Sequence, residues 1–368
     1  MSCDLAAMLA HLVACGGSDL HVGVGGPPRI RVTSDLRPAP FPAVEAGELA
    51  STLRQIMPAD RWAEYERTGE ADFSLSIKGV GRFRGNACRQ RGSAAVVLRR
   101  VLPSAVTAEQ LGLPPIVTRL ANEQRGMVLV TGPTGSGKTT TLAAMIDHIN
   151  TTRASKIVTI EDPIEVIHTD KRSVIWQREI GADTADYAQA MRRVLRQDPD
   201  VILIGEMRDS ETVSTALTAA ETGHLVLSTL HTTSATETIN RIIDFFPANQ
   251  HRQARLSLAG VLKGVVSQRL VPTSDGQGRA PAIEAMVVTG RIADCIVDPD
   301  SPGESIEEQI AGGSYYGMQT FDQSLFQLVR AQVTTLQSAI AAASNPHDLM
   351  VALETAGVVP ARKSAVLS

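Results

Sequence analysis

Cysteine is scarce in this chain of 368 residues, and Cys3, Cys15, Cys88 and Cys295 each stand alone. Without a Cys-x-x-Cys pair there is no ligand set for a structural zinc ion, and the spacing offers no disulfide framework. A charged N-terminal segment followed by an apolar core is also missing, and no run approaches ~20 apolar residues, so neither a secretory leader nor a membrane span is expected. Charge of one sign is not in excess: the net charge of −4 does not favour a nucleic-acid partner. Low-complexity tracts and internal repeats are absent. What is left is an ordinary globular composition, 43% hydrophobic and 20% charged, in a chain comfortable for two cores. Cytoplasm is the default expectation.

The densest local signal is Gly132-Pro133-Thr134-Gly135-Ser136-Gly137-Lys138-Thr139, followed by Thr140. Four residues separate the first glycine from Gly-Lys-Thr, the phosphate-binding loop spacing. The apolar run Met127–Thr131 before it suits a buried parallel strand. Thr140–Ile149 after it reads as a helix, with Leu142, Met145, Ile146 and Ile149 at helical spacing. The glycines let successive N–H groups turn inward on an anion, and the helix adds its positive N-terminal end. Lys138 would neutralise the β- and γ-phosphates, and the Thr139 hydroxyl would reach magnesium. The stretch implies binding of a nucleoside triphosphate.

Two grammars divide the chain. Up to Leu98 it mixes an opening amphipathic helix (Asp4–Val13), a helix over Glu45–Met57 and alternating strands at Arg29–Val32, Phe73–Ile77, Arg82–Ala87 and Ala94–Leu98. Ser18–His21 leads into a Gly/Pro-rich turn. This region is α+β, with strands meeting by hairpins. Pro103, Pro114 and Pro115 mark a linker. From Arg125 short apolar runs at Lys156–Ile160, Val201–Ile204 and Leu225–Thr229 alternate with helical segments at Ala185–Arg196 and Glu211–Ala220. That pattern means an α/β domain with a parallel sheet covered on both faces. A polar loop (Thr273–Pro281), an apolar run near Ile283–Val288 and three helices (Phe321–Arg330, Leu336–Ala343, His347–Ala356) follow. The expected divisions are 1–102, a linker over 103–124, a core over 125–290 and a helical region over 291–368.

Ligands of an open parallel sheet sit at the carboxyl ends of its strands. Glu161, Asp162 and Glu165 follow one apolar run; acids there hold magnesium or orient a water, or else form an acidic turn or helix cap. Glu206 follows the next, beside Gly205, which gives room for phosphate. His231 follows the third, flanked by hydroxyls, placed either to sense a γ-phosphate or to sit as a satisfied core residue. Arg82 and Arg84 alternate on a strand of the first region, as a solvated face or as arginine fingers.

These segments together resemble the PilT branch of the secretion ATPase superfamily, the motors of type IV pili. Ser18-Asp-Leu-His21 with Pro27-Pro28-x-Ile-Arg31 resembles its N-terminal signature, and Arg82-Phe-Arg84 with Asn86 its arginine-bearing strand. Gly132–Thr139 is similar to its phosphate loop and Ile160–Glu165 to its aspartate box. Asp198–Asp209 is similar to its Walker B segment and Thr222–Ala235 to its histidine box; Gly317–Asp322 and Asn345–Asp348 resemble its C-terminal region. The resemblance implies a PAS-like N-terminal domain on a RecA-like P-loop ATPase domain, assembled as a homohexamer. It implies ATP and Mg2+, the latter at Thr139 and Glu206. It makes Glu161 the general base or water orienter, His231 a γ-phosphate contact, and Arg82 and Arg84 catalytic. It implies work at the inner face of the cytoplasmic membrane on an inner-membrane pilus platform protein, with a second pilus ATPase as a further partner and no nucleic acid. The lack of a four-cysteine motif and of an extra N-terminal domain points to the retraction-type branch. One departure stands out. Where retraction motors carry Ala-Ile-Arg-Asn-Leu-Ile-Arg-Glu, this chain has Arg291-Ile-Ala-Asp-Cys-Ile-Val-Asp298, then Pro299 and Pro302, so a helix ending early is expected. That departure keeps open an alternative, an accessory or nucleotide-regulated subunit without retraction activity of its own.

Overall fold

A computed structural model describes residues 3–32, 35–101, 106–300 and 302–359. The expected boundary at 102/103 and the last residues of the helical region lie outside them. The chain divides into two compact units, Met1–Ser104 with Glu165–Ile167, and Ala105–Ile164 with His168–Ser368.

The first unit contains α1 (Leu5–Ala14), β1 (Asp19–Gly23), β2 (Arg29–Val32), β3 (Asp35–Pro38), α2 (Ala46–Ile56), α3 (Ala59–Thr68), β4 (Glu70–Ile77), β5 (Gly81–Gln90) and β6 (Ser93–Arg100). Its strands form an antiparallel sheet in the order β3-β2-β1-β6-β5-β4. Alternation splits the sheet into two faces. Leu20, Val22, Ile30, Phe83, Val96 and Leu98 join Leu9 and Leu12 of α1 and Leu49 and Leu53 of α2 in one core. Ser18–His21 does more than approach a turn: Asp19–His21 lie in β1, inside the sheet. Asp19 stands in one cross-strand row with Arg31, Arg99 and Arg84, and Arg99 Nε donates to its Oδ1 at 2.7 Å. Burial opposes the Asp19 carboxylate, yet hydrogen bonds from Ser18 and Arg99 outweigh it and hold its pKa below the usual value.

The second unit begins with α4 (Pro115–Ala121), β7 (Gly126–Thr131), α5 (Lys138–Thr152), β8 (Lys156–Glu161), β9 (Val174–Glu179), α6 (Tyr187–Val194), β10 (Val201–Ile204), α7 (Ser210–Glu221), β11 (Leu225–Leu230) and α8 (Ala235–Asp244). It continues with α9 (His251–Val261), β12 (Leu262–Pro272), β13 (Arg279–Val287), α10 (Gly290–Val297), α11 (Ile306–Gly312), α12 (Phe321–Arg330), α13 (Leu336–Ala342) and α14 (Pro346–Thr355). The sheet order is β13-β12-β7-β11-β10-β8-β9, parallel except for the β12–β13 hairpin. Side chains alternate across β7, so Val128 and Val130 pack with α4 and α5 while Met127 and Leu129 pack with α6–α9. Strands buried on both faces read as unbroken apolar runs for this reason.

The segment read as a linker contributes Ile116, Val117, Leu120 and Ala121 of α4 to that second core. The loop expected over Thr273–Pro281 is shorter, because β13 starts at Arg279 opposite Pro272. Pro281 sits within β13, the edge strand, where a missing N–H costs no ladder bond. α10 ends at Val297, with Ile292 and Ile296 buried. Helices α12–α14 close a fourth cluster over Val271, Ala280 and Ala282. Arg269 holds this layer: its guanidinium lies 3.8 Å from the Phe321 ring centre and donates to the Ala342 carbonyl at 2.7 Å. Among the described residues, no helix is long and apolar enough to cross a membrane.

Burial sets one acid response. It pushes the His168 imidazole down to about 4, against the attraction of Asp147. The folded state therefore needs the ring neutral, while the unfolded chain binds the proton near pH ~6.5. This contribution is whole above that pH and is lost as pH falls toward the folded value. In denaturant unfolding near pH ~7.5 and pH ~4.5, the wild type should lose about 2 kcal/mol more than His168→Gln. Equal losses would remove His168 from the acid response.

Candidate active site

β7 leads directly into the glycine-rich loop. Gly132, Gly135 and Gly137 have φ of +144°, +78° and +91°, a region that residues with a Cβ rarely adopt. Crowding adds a second reason at two of them. A Cβ on Gly132 would meet the Gln268 carbonyl oxygen at 2.4 Å, and one on Gly137 would meet Gln268 Nε2 at 2.6 Å. Gln268 lies on β12 beside β7, and its Oε1 accepts a 2.7 Å hydrogen bond from Thr141 Oγ1 in the first turn of α5. β12 thus props the loop at both ends. Nothing in the sequence pointed to Gln268, which stands far from the loop in a strand without a motif.

Within the loop, Pro133, Thr134 and Gly135 are exposed, Thr139 and Thr140 half-buried, and Lys138 buried. Lys138 Nζ donates to the carbonyls of Gly132 at 2.8 Å and Pro133 at 3.1 Å. Ser136 Oγ is buried and has no hydrogen-bond partner among the described residues. A cradle that a Cβ at Gly132 or Gly137 would fill, an orphaned buried hydroxyl, a lysine on the loop and the N-terminus of α5 fit a polyphosphate with its metal ion.

The other candidates leave the same edge of the sheet. Glu161 ends β8, and its Oε1 accepts from Thr159 Oγ1 at 2.6 Å and Gln177 Nε2 at 3.1 Å. The turn after it is fixed by buried Glu179, whose carboxylate accepts from Ile164 N at 3.0 Å. Glu206 follows β10 between Arg208 and His231. Arg208 Nη2 approaches its Oε2 at 2.8 Å, and His231 Nε2 lies 3.1 Å from its Oε1. His231, the first residue after β11, is therefore brought to Glu206. The hydrogen bond to Glu206 raises the Arg208 pKa, so that guanidinium stays charged. The room beside Gly205 is taken by Tyr187, whose hydroxyl would lie 2.9 Å from a Cβ there. Burial, reinforced by the Asp162 charge, raises the Tyr187 phenol pKa and keeps it protonated. Sequence reading assigned no role to Arg208, although its place two residues after Glu206 was a usable signal; Tyr187 and Gln177 carried none.

Arg82 and Arg84 lie on β5 of the first unit, whereas the loop belongs to the second. Arg84 Nη1 donates to Glu165 Oε1 at 3.2 Å, and Arg82 Nη1 reaches Ser76 Oγ at 3.5 Å.

An α/β sheet with a glycine-rich loop and two carboxylates at one edge, following an N-terminal α+β domain in the sequence, defines a P-loop ATPase. The chain belongs to the type II/IV secretion system protein family, whose profile matches residues 2–355. It is 44% identical over 345 residues to the type IV pilus retraction ATPase PilT of Pseudomonas aeruginosa, covering 94% of this chain and 99% of that protein. It is 40% identical over 349 residues to the type IV pilus ATPase PilU of the same organism, with coverages of 94% and 90%. A crystal structure of the pilus retraction motor PilT with bound ADP superposes with a TM-score of 0.85 at 42% identity, covering 94% and 99% of the two chains. The Legionella pneumophila ATPase DotB superposes with a TM-score of 0.72 at 27% identity, over 92% of this chain and 95% of that one.

The loop geometry makes Gly137→Ala a direct test. The new methyl meets both an unfavourable φ and the Gln268 amide, so nucleotide affinity in a fluorescent-nucleotide titration should fall by at least ~10-fold, with the sheet intact. Unchanged affinity would show that Gln268 does not constrain the loop.

Proposed function

We propose that this chain is the ATP-driven motor of type IV pilus retraction, working as a homohexamer on the cytoplasmic face of the inner membrane. The observation that carries the reading is the end-to-end correspondence with PilT, together with a phosphate loop in which a side chain at Gly132 or Gly137 would clash with Gln268. The pilus platform protein is the mechanical partner on this reading, a second pilus ATPase of the PilU kind is a further one, and nucleic acid is not.

ATP is held by Gly132–Thr140, with Lys138 leaving the Gly132 and Pro133 carbonyls for the β- and γ-phosphate oxygens. Thr139 and Glu206 are the groups that would hold Mg2+, which supplies charge neutralisation to the phosphates. A water is oriented by Glu161 and takes the γ-phosphoryl group, the bond to the bridging oxygen breaks, and ADP and phosphate leave. Glu161 suits this task because hydroxyl and amide donors position it. Glu206, between Arg208 and His231, suits an electrostatic one. His231 then contacts the γ-phosphate region. Arg82 and Arg84 act as arginine fingers on a neighbouring subunit's nucleotide in this reading.

Purified Lys138→Ala should lose ATP turnover, and Glu161→Gln should lower kcat by about two orders of magnitude or more. Turnover at the wild-type rate in purified Lys138→Ala would refute the assignment. A second reading draws on α10, short and without the expected arginines: an accessory subunit that joins another ATPase ring. Robust ATP turnover by a ring of this chain alone excludes it.

A further inference from the structure

Four hydroxyls that no step above uses meet in the interior of the second unit. Thr131, Ser267 and Thr238 are fully buried and Thr232 is 4% exposed. Thr131 Oγ1 donates to Ser267 Oγ at 2.9 Å. Thr238 Oγ1 lies 2.7 Å from Thr232 Oγ1, 3.5 Å from Thr131 Oγ1 and 2.6 Å from the Ser234 carbonyl it donates to. A helical threonine bonded to the carbonyl four residues back is already satisfied as a donor. The convergence of two further hydroxyls on it exceeds what burial requires.

Their places in the chain give the cluster meaning. Thr131 immediately precedes Gly132, the first residue of the phosphate loop, and Thr232 immediately follows His231, which reaches Glu206. Thr238 belongs to α8, whose first turn is fixed on the other side: Glu284 of β13, buried, accepts from Ala235 N at 2.8 Å. α8 is thus a rigid post, and one hydroxyl on it touches the roots of both loops.

We propose that Thr238 is a positioning residue for ATP hydrolysis, holding the phosphate loop and the His231–Glu206 pair in one register. The proposal rests on the ATPase reading and adds to it that spacing between these loops is set by a buried hydroxyl. Such a residue does not touch nucleotide, so its loss acts on the rate of the chemical step and leaves binding nearly unchanged.

The test is steady-state ATPase kinetics of the full chain. Thr238→Val keeps the shape and removes the hydroxyl; kcat should fall about tenfold while KM for ATP changes less than about twofold. Thr238→Ser returns the hydroxyl and should restore kcat to within about threefold of wild type. A Thr238→Val enzyme at the wild-type kcat overturns the proposal, and so does a Thr238→Ser enzyme as slow as the valine variant. If thermal melting shows Thr238→Val unfolded, Thr232→Val cuts the same contact from the loop side. It must give the same selective loss of kcat, and a wild-type kcat there overturns the proposal as well. Wild-type protein without turnover would sink the ATPase reading itself; normal wild-type turnover with unaffected variants sinks only the role of Thr238.

Discussion

The candidate active site depends on the close approach of β12 to the glycine-rich loop. Gln268 presses its carbonyl on Gly132 and its amide on Gly137, and its Oε1 takes the Thr141 hydroxyl. Each contact removes freedom from a segment that must be strained to turn its N–H groups inward. A loop with three left-handed glycines and no outside support would lose much of its preorganisation to backbone entropy. The support comes from the sheet, whose parallel pairing of β12 with β7 sets Ser267 opposite Thr131. Sheet register and loop geometry are one constraint.

The same strand carries that constraint further. Side chains alternate along a strand, so Arg269 lies on the face opposite Gln268. There it stacks on Phe321 and bonds the end of α13, while Asp322 accepts from Ser344 N and Asn345 N at 2.7 and 2.8 Å. Two neighbouring residues thus tie the phosphate loop and the C-terminal helices to one backbone. The C-terminal layer is anchored to the catalytic sheet at the point where nucleotide would bind.

The fold was legible where burial on both faces made the code simple. Val201–Ile204 and Leu225–Thr229 are continuous apolar runs and are strands; the glycine spacing at 132–139 marked its loop because few residues can take those φ values. Legibility failed where tertiary contacts override local pattern. β1 hides behind its Asp and His, and the Asp is paired across the sheet by Arg99. β12 mixes Gln and Arg among its apolar residues because its end serves the loop on one side and the helices on the other. The candidate carboxylates and His231 were found from their places after strands. Their partners, Gln177, Tyr187 and Gln268, come from remote segments that no spacing rule connects.

The two carboxylates differ in a way that their positions alone do not reveal. Glu206 faces the Arg208 guanidinium at one oxygen and the His231 imidazole at the other, so both oxygens are engaged before any ligand arrives. A carboxylate engaged at both oxygens gains orientation. Glu161 accepts hydrogen bonds at one oxygen from the neutral donors Thr159 Oγ1 and Gln177 Nε2, which orient that oxygen. A positioned carboxylate can take the proton released from an attacking water in the transition state. The sheet therefore places two acids of the same chemistry in different settings, Glu206 beside the Arg208 guanidinium and Glu161 beside a hydroxyl and an amide. The proposed mechanism draws on that difference, with Glu161 orienting the water and Glu206 on the metal side.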